Sequence, residues 1–296
     1  MKDLSVIVIS YNTKSLTLES IKAIETSLKN STTTSEIIVV DNASIDGSQK
    51  ALEAHLESTN SHTYIKLIFN KKNLGFGAAN NIGIEKAQGK YILLINSDVI
   101  ADKVNLKELV EYMDRHSNIG GLTVDVRLEN GKRDPASHRG FPTIWRSLCY
   151  FSGLEKITQR ISLLNRIFGG YHLCHLPLTT IHEIDSPTAA FFLIRKDIVD
   201  KLNGFDEDFF MYGEDLDLAY RIKEKGKKII YYPKYRVTHL KHQSGLKHSE
   251  QDVQNHTKKH FYKAMKIFYD KHYAPKNLPL INIVVDKGIA LLAQFK

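Results

Sequence analysis

The feature that most constrains this chain is an alternation of short, continuous apolar runs with stretches of helical spacing. Leu4–Ile9, Ile37–Val40, Tyr64–Phe69 and Tyr91–Ile95 are such runs, with the composition of strands buried on both faces. Between them Leu18, Ile21, Ile24 and Leu28 recur at three- and four-residue spacing. Further helices are expected from about Ser48 through Leu52 and Leu56, from about Ala78 to Ala87 before Gly89, and around Leu106, Leu109, Val110 and Met113. Strands alternating with helices predict an α/β fold, a mostly parallel sheet wrapped on both sides. Beyond residue 126 the pattern turns irregular. Residues 129–142 read as a basic loop, 144–168 as amphipathic helix, and Phe191–Ile194 and Ile229–Tyr232 as strands, the second closed by Pro233. A helix follows Gly204–Asp217 and ends near Gly226, a last helix carries Phe261, Met265 and Phe268 on one face, and residues 280–295 form a short apolar end segment.

With 296 residues, 42% hydrophobic and 25% charged, the chain suits one large α/β domain or two modest ones, and wholesale disorder is excluded. Two cysteines, Cys149 and Cys174, make no disulfide framework and no zinc spacing, which fits a reducing compartment. The apolar start is too short for a secretory signal, and no uncharged apolar run reaches the ~18 residues of a spanning helix. The expectation is a cytoplasmic chain, at most peripheral on the inner face of the cytoplasmic membrane. The net charge of +8 is unevenly placed: from Ile222 onward there are 16 Lys and Arg against 5 acids, whereas residues 1–221 hold 25 against 28. Such a tail reads either as solvated helix faces or as a surface for anionic phospholipid or a phosphorylated substrate. Nothing in it has a nucleic-acid-binding pattern.

Ligands of open α/β sheets sit at the carboxyl ends of the strands, and three of those ends are polar here: Ser10-Tyr11-Asn12, Asp41-Asn42-Ala43-Ser44, and Asn96-Ser97-Asp98. Asp41 reads equally as a ribose-gripping carboxylate and as a turn former. The Gly-x-Gly-x-x-Gly turn of a dinucleotide cofactor is missing after the first strand. Asn73-Leu74-Gly75-Phe76-Gly77 allows close approach of backbone to a ligand, or simply turns a loop into a helix. Asp98 suits a hard divalent cation that a diphosphate requires, or a cap. Glu214 and Asp215 open a helix, where acids are favoured by the dipole whatever the function. Their aromatic neighbours Phe209, Phe210 and Tyr212 also suit a general base with a raised pKa. Asp217 and Arg221 stand at i, i+4, the spacing of a pair.

In this combination the sequence resembles the inverting glycosyltransferases of family 2, which have the GT-A fold, and within them the bacterial rhamnosyltransferase-like branch of polysaccharide synthesis. The matching blocks, in family order over residues 4 to about 245, are Val6–Asn12, Ile38–Ser48, Asn73–Asn80, Tyr91–Asp98 and Gly204–Leu218. The resemblance implies a GT-A domain over 1–245, with a nucleotide-sugar half at 1–126 and an acceptor half at 127–245, and a helical basic extension at 246–296. It implies that Ser10, Tyr11, Asn12 and Asp41 hold the nucleoside, and that Asn73, Gly75 and Asn80 shape the nucleotide pocket. Asn96-Ser97-Asp98 stands in place of the metal-binding Asp-x-Asp, with Asp98 as direct ligand of Mg²⁺ or Mn²⁺ and His239 completing the site. Asp215 becomes the general base, with Glu214 beside it. This sequence departs from the pattern at Asn96, where relatives carry an acid, and at Ala189, where they carry glycine. The implied partners are a nucleotide-diphosphate sugar donor and a saccharide or lipid-linked acceptor. A nucleotidyltransferase would show a Gly-rich, Arg/Lys-bearing loop after strand one, and a non-catalytic sugar-binding module would need neither the metal acid nor the Glu214-Asp215 turn.

Overall fold

A computed structural model describes residues 2–29, 33–58, 64–241 and 251–295. Its first half follows the apolar alternation. Strands β1 (Lys2–Ser10), β2 (Ser35–Asp41), β3 (Tyr64–Phe69) and β4 (Gly89–Asn96) lie parallel in the order β3-β2-β1-β4, with helices α1 (Lys14–Lys29), α2 (Ser48–Ser58) and α3 (Phe76–Lys86) as crossovers. Side chains alternate across β1. Val6 and Val8 join Ile21 and Ile24 of α1 on one face, while Ile7 and Ile9 join Ala79 and Ile84 of α3 on the other. A strand covered on both faces needs apolar residues at every position, hence the unbroken run.

The second half continues the same sheet as β4-β8-β6-β9-β5. It is built from β5 (Val99–Ile100), α4 (Leu106–Arg115), β6 (Ile119–Leu128), β7 (His182–Ile184), β8 (Phe191–Arg195), α8 (Lys196–Lys201), α9 (Glu214–Glu224) and β9 (Lys228–His239), with β7 paired to β9. β8 runs antiparallel to β4 and β6, whereas β6 and β9 are parallel. The sheet is therefore mostly parallel, with β5, β7 and β8 reversed. Strand β6 carries no continuous apolar run because Gly120-Gly121 interrupts it. A Cβ at Gly121 would lie 2.5 Å from the Phe192 ring, so the glycine lets β6 close on β8.

Two expectations from the irregular half are corrected. β9 does not stop at Pro233: its pairing steps from Tyr232 opposite Val124 to Arg236 opposite Asp125, so residues 233–235 bulge and the proline needs no ladder hydrogen bond. The stretch 144–168 is not one helix but three, α5 (Ile144–Phe151), α6 (Leu154–Thr158) and α7 (Ser162–Phe168).

The chain ends in α10 (Gln251–His272) and α11 (Pro279–Phe295), so the apolar end segment is helical. Ala264 and Phe268 of α10 pack on Phe209 and Leu216, and His272 Nε2 lies 2.8 Å from Asp217 Oδ1. Several tail lysines are tied to acids, Lys266 to Asp286 at 3.1 Å and Lys271 to Asp208 at 2.6 Å. The division at 126/127 falls inside β6, and the one at 245/246 lies outside the described residues. No helix among the described residues is long and apolar enough to cross a membrane.

Candidate active site

Parallel register decides which strand ends meet. Ser10 stands opposite Asp41, Ile9 opposite Asn96, and the short β5 sets Val99 opposite His239. The polar tips therefore gather along one edge of the sheet.

At the β1–β2 end the loops are stitched together. Asn12, at φ +52°, donates its N–H to Ser44 Oγ and accepts from the Ile45 N–H through Oδ1. Asp41 is buried; its Oδ1 accepts from the Ser44 N–H and Gln49 Nε2, and its Oδ2 has no hydrogen-bond partner among the described residues. Ser10 is buried against Thr17, whereas Tyr11 is about half exposed at 47%. Asn42, to which the sequence assigned no role, organises the neighbouring loop. It donates to Asn73 Oδ1 and the Gly75 carbonyl, and accepts from Asn70 Nδ2 and the Leu74 N–H. Asn73 also accepts from the Gly75 N–H, and Asn80 donates to the Phe76 carbonyl within α3, so both amides shape backbone. Gly75, at φ +88°, lies so close to the next segment that a Cβ would sit 2.5 Å from the Phe210 carbonyl oxygen. Only glycine fits, and the contact ties this loop to the turn before α9.

The β4 end opens into a cavity of about 650 Å³ whose wall includes Asn96, Asp98, Arg139, Glu214, Asp215 and His239. Ser97 does not line it; its Oγ lies 3.1 Å from Thr13 Oγ1. His239 Nε2 lies 3.2 Å from Asp98 Oδ1, and its Nδ1 lies 2.7 Å from Asp134 Oδ2. Burial opposes the charge on His239, but hydrogen bonds to Asp134 and Asp98 outweigh it and raise the imidazole to about 9. Burial pushes the Asp134 carboxyl upward too; the hydrogen bond from His239 and the charge of Lys241 win and hold it well below the ordinary carboxylate range.

On the facing wall, Gly213 at φ +81° turns the chain into α9, whose first turn carries Glu214, Asp215 and Asp217. The three acids separate by function of place. Asp217 is sequestered by Arg221 at 2.6 Å and by His272, the pairing that its spacing suggests. Asp215 Oδ2 accepts from Arg139 Nη2 at 2.9 Å, and Oδ1 accepts from the Leu216 N–H. Glu214 is buried, and that burial, with the neighbouring Asp215 carboxylate, pushes its carboxyl well above the ordinary range. The pair thus differs in setting: burial and the neighbouring carboxylate push Glu214 toward its protonated form, while Asp215 faces a guanidinium.

Arg139, Asp134 and Lys241 were not anticipated. They lie in irregular segments where no periodicity marks which charged residue turns inward; the sequence signals were the basic character of 129–142 and, for Lys241, of the tail from Ile222 onward. Asn96 Oδ1, Arg139 Nε and Glu214 Oε2 are buried without a hydrogen-bond partner among the described residues, and all three residues line this cavity. Such groups leave hydrogen-bonding capacity in the cavity wall that a polar ligand can use.

A divalent cation fits this end of the cavity only by displacing the proton that His239 Nε2 shares with Asp98. Asp98 and His239 present an oxygen and a ring nitrogen together, with Asp134 behind the imidazole as carboxylates stand behind metal-ligating histidines. Mg²⁺-type sites use one or two protein carboxylates and fill the rest with substrate phosphates and water. No cluster of three or more ligating side chains with metal-site geometry occurs among the described residues.

The sequence profile of Glycosyl transferase family 2 matches residues 5–170, and that described as N-terminal domain of galactosyltransferase matches 183–243, the stretch holding β7, β8, α9 and β9. Rhamnosyltransferase WbbL of Escherichia coli (strain K12) is 26% identical over 57% of this chain and 61% of its own length. An N-acetylglucosaminyl-diphospho-decaprenol L-rhamnosyltransferase of Mycobacterium tuberculosis is 24% identical over 82% of this chain and 78% of its own. Among solved structures, S. aureus TarS 1-349 in complex with UDP-GlcNAc aligns with a TM-score of 0.56 at 17% identity, covering 90% of this chain and 65% of that one. GalNAc-T7 with UDP, GalNAc and Mn2+ aligns at 0.59 and 16%, covering 99% and 55%. The sheet, its flanking helices and these likenesses define a GT-A fold. The chain spans 61% of the E. coli relative's length and 63% of a Haloferax volcanii hexosyltransferase's. It belongs to glycosyl transferase family 2.

Proposed function

We propose that the chain is an inverting glycosyltransferase that moves a sugar, rhamnose on the strength of its named relatives, from a nucleotide-diphosphate donor to a saccharide or lipid-linked acceptor of a cell-surface polysaccharide. The observation that carries this reading is that Asp98, from the first half of the chain, lines one cavity with His239, Glu214 and Asp215 from the second. Residues 1–126 serve the donor and 127–245 the acceptor, with 246–296 as an extension. Ser10, Tyr11, Asn12 and Asp41 hold the nucleoside. Asn73, Gly75 and Asn80 keep the loop beside it in shape, and Asn96 and Ser97 reach toward the sugar diphosphate.

Asp215 takes the proton of the acceptor hydroxyl as that oxygen bonds to the anomeric carbon; in the same step the bond from that carbon to the diphosphate breaks and configuration inverts. The leaving nucleoside diphosphate departs with the bonding electron pair. Asp98 and His239 would hold Mg²⁺ or Mn²⁺, which supplies positive charge for that developing anion. Arg139 and the Leu216 N–H each occupy one acceptor site of the Asp215 carboxylate, and a carboxylate has about four such sites, so about two remain for the acceptor hydroxyl. The upward push on the Glu214 carboxyl favours its neutral form and so limits the repulsion beside Asp215.

Asp215→Asn is the direct test. Donor binding should persist while transfer falls by roughly 10²–10⁴-fold; turnover near wild type removes Asp215 from this role. Thermal-shift screening of nucleotide sugars with Mn²⁺ or Mg²⁺ names the donor, dTDP-rhamnose being the expected hit. Peripheral contact with the inner face of the cytoplasmic membrane completes the reading, and failure to sediment with anionic vesicles at low salt removes that part of it.

A further inference from the structure

The cavity that holds Asp98 and Asp215 continues beyond them. It runs between α5 on one side and α10 and α11 on the other, where its wall is hydrocarbon: Leu148 and Phe151, Met265 and Phe268, Ile289 and Leu292. The charged lining residues, Asp98, Arg139, Glu214, Asp215, His239 and Lys241, come from strand ends, the first turn of α9 and the loop that carries Arg139; among the described residues α5, α10 and α11 contribute none. One continuous space is thus polar at the carboxylates and apolar along an arm. Leu148, Val284 and Leu291 line that arm while being more than half exposed, so it opens to the outside through apolar residues. A free saccharide would leave this wall facing water, at odds with the usual scarcity of large exposed apolar patches. An amphiphile fills both ends.

We propose that the arm holds the hydrocarbon chain of a lipid-linked acceptor, its sugar lying at Asp215; this rests on the glycosyl-transfer reading of that site and narrows its acceptor to the lipid-linked class. The arm's apolar surface recognises the chain by burial, which tightens binding by about fourfold per methylene fully removed from water.

The test separates the arm from the chemistry. Calorimetry on the full chain, without donor, uses inorganic, isopentenyl, geranyl and farnesyl diphosphate below micelle-forming concentration. Affinity should rise roughly tenfold or more with each added isoprene unit. Gly288 lines the arm on α11, and a Cβ there meets nothing within 4 Å, so Gly288→Trp can fill the arm without a clash at the attachment point. That variant should lose the chain-length dependence while keeping its unfolding midpoint and its dTDP affinity. Equal affinity across the series overturns the proposal. So does a chain-length dependence that survives in Gly288→Trp, which would place the hydrocarbon elsewhere. A dimer that Gly288→Trp dissociates assigns the arm to a second copy, and binding to phosphatidylcholine vesicles without isoprenoid binding assigns it to the bilayer; either result also overturns it. If transfer fails in the wild type while the series holds, the catalytic reading falls and the hydrocarbon site stands; if transfer proceeds and the series is flat, the reverse is true.

Discussion

Arg139 and Asp215, 76 residues apart in sequence, meet at 2.9 Å in the wall of the cavity, both nearly buried. The pair joins an irregular loop to the first turn of α9. Removing one partner of a buried ion pair strands the other charge, so Arg139→Met should destabilise the fold by about 3–5 kcal/mol. Arg139→Met combined with Asp215→Asn should recover much of that loss. Denaturant unfolding of the two single variants and the double variant measures the coupling, and strict additivity would show that the pair is not energetically joined.

Glu214 gives a pH dependence of defined sign. Its carboxyl is raised in the fold by burial and by Asp215. The folded state therefore binds this proton more tightly than the unfolded chain does. The resulting stability is present below the ordinary Glu value of 4.5 and is lost as pH rises through the higher folded value. Glu214→Gln should remove this slope. Unfolding free energies at a series of pH values between 4.5 and 9 check it, and identical slopes in wild type and variant would reject it.

Asp98 faces His239 across 3.2 Å at the polar end of the cavity. Asp98→Ala should weaken Mn²⁺-dependent nucleoside diphosphate binding while leaving metal-free binding nearly unchanged. Titration calorimetry with and without Mn²⁺ separates the two, and unchanged metal-dependent affinity would count against a cation at this place.

Gly75 combines φ +88° with a backbone contact that no side chain permits. Gly75→Ala must strain the loop or push it from Phe210, at a cost of about 1–3 kcal/mol. Donor affinity should fall with it, because the same loop is held by Asn42 and Asn73. Asn42→Ala should move both readouts in the same direction; a thermal midpoint equal to wild type in Gly75→Ala would refute the strain.

What was readable from the order of residues follows from local physics. Strands buried on two faces must be apolar at every position, so β1 to β4 and their crossover helices announce themselves, and parallel pairing then carries Ser10, Asp41 and Asn96 to one edge. Acids opening α9 and the Asp217–Arg221 spacing are equally local. The tertiary structure alone decided which acid is neutralised, that β9 runs through Pro233 to deliver His239 beside Asp98, and that Arg139 and Asp134 turn inward. It also made an apolar arm out of α5, α10 and α11. Those outcomes depend on bulges, loop paths and burial of charge, which are set by partners distant in sequence; no window of neighbouring residues contains them.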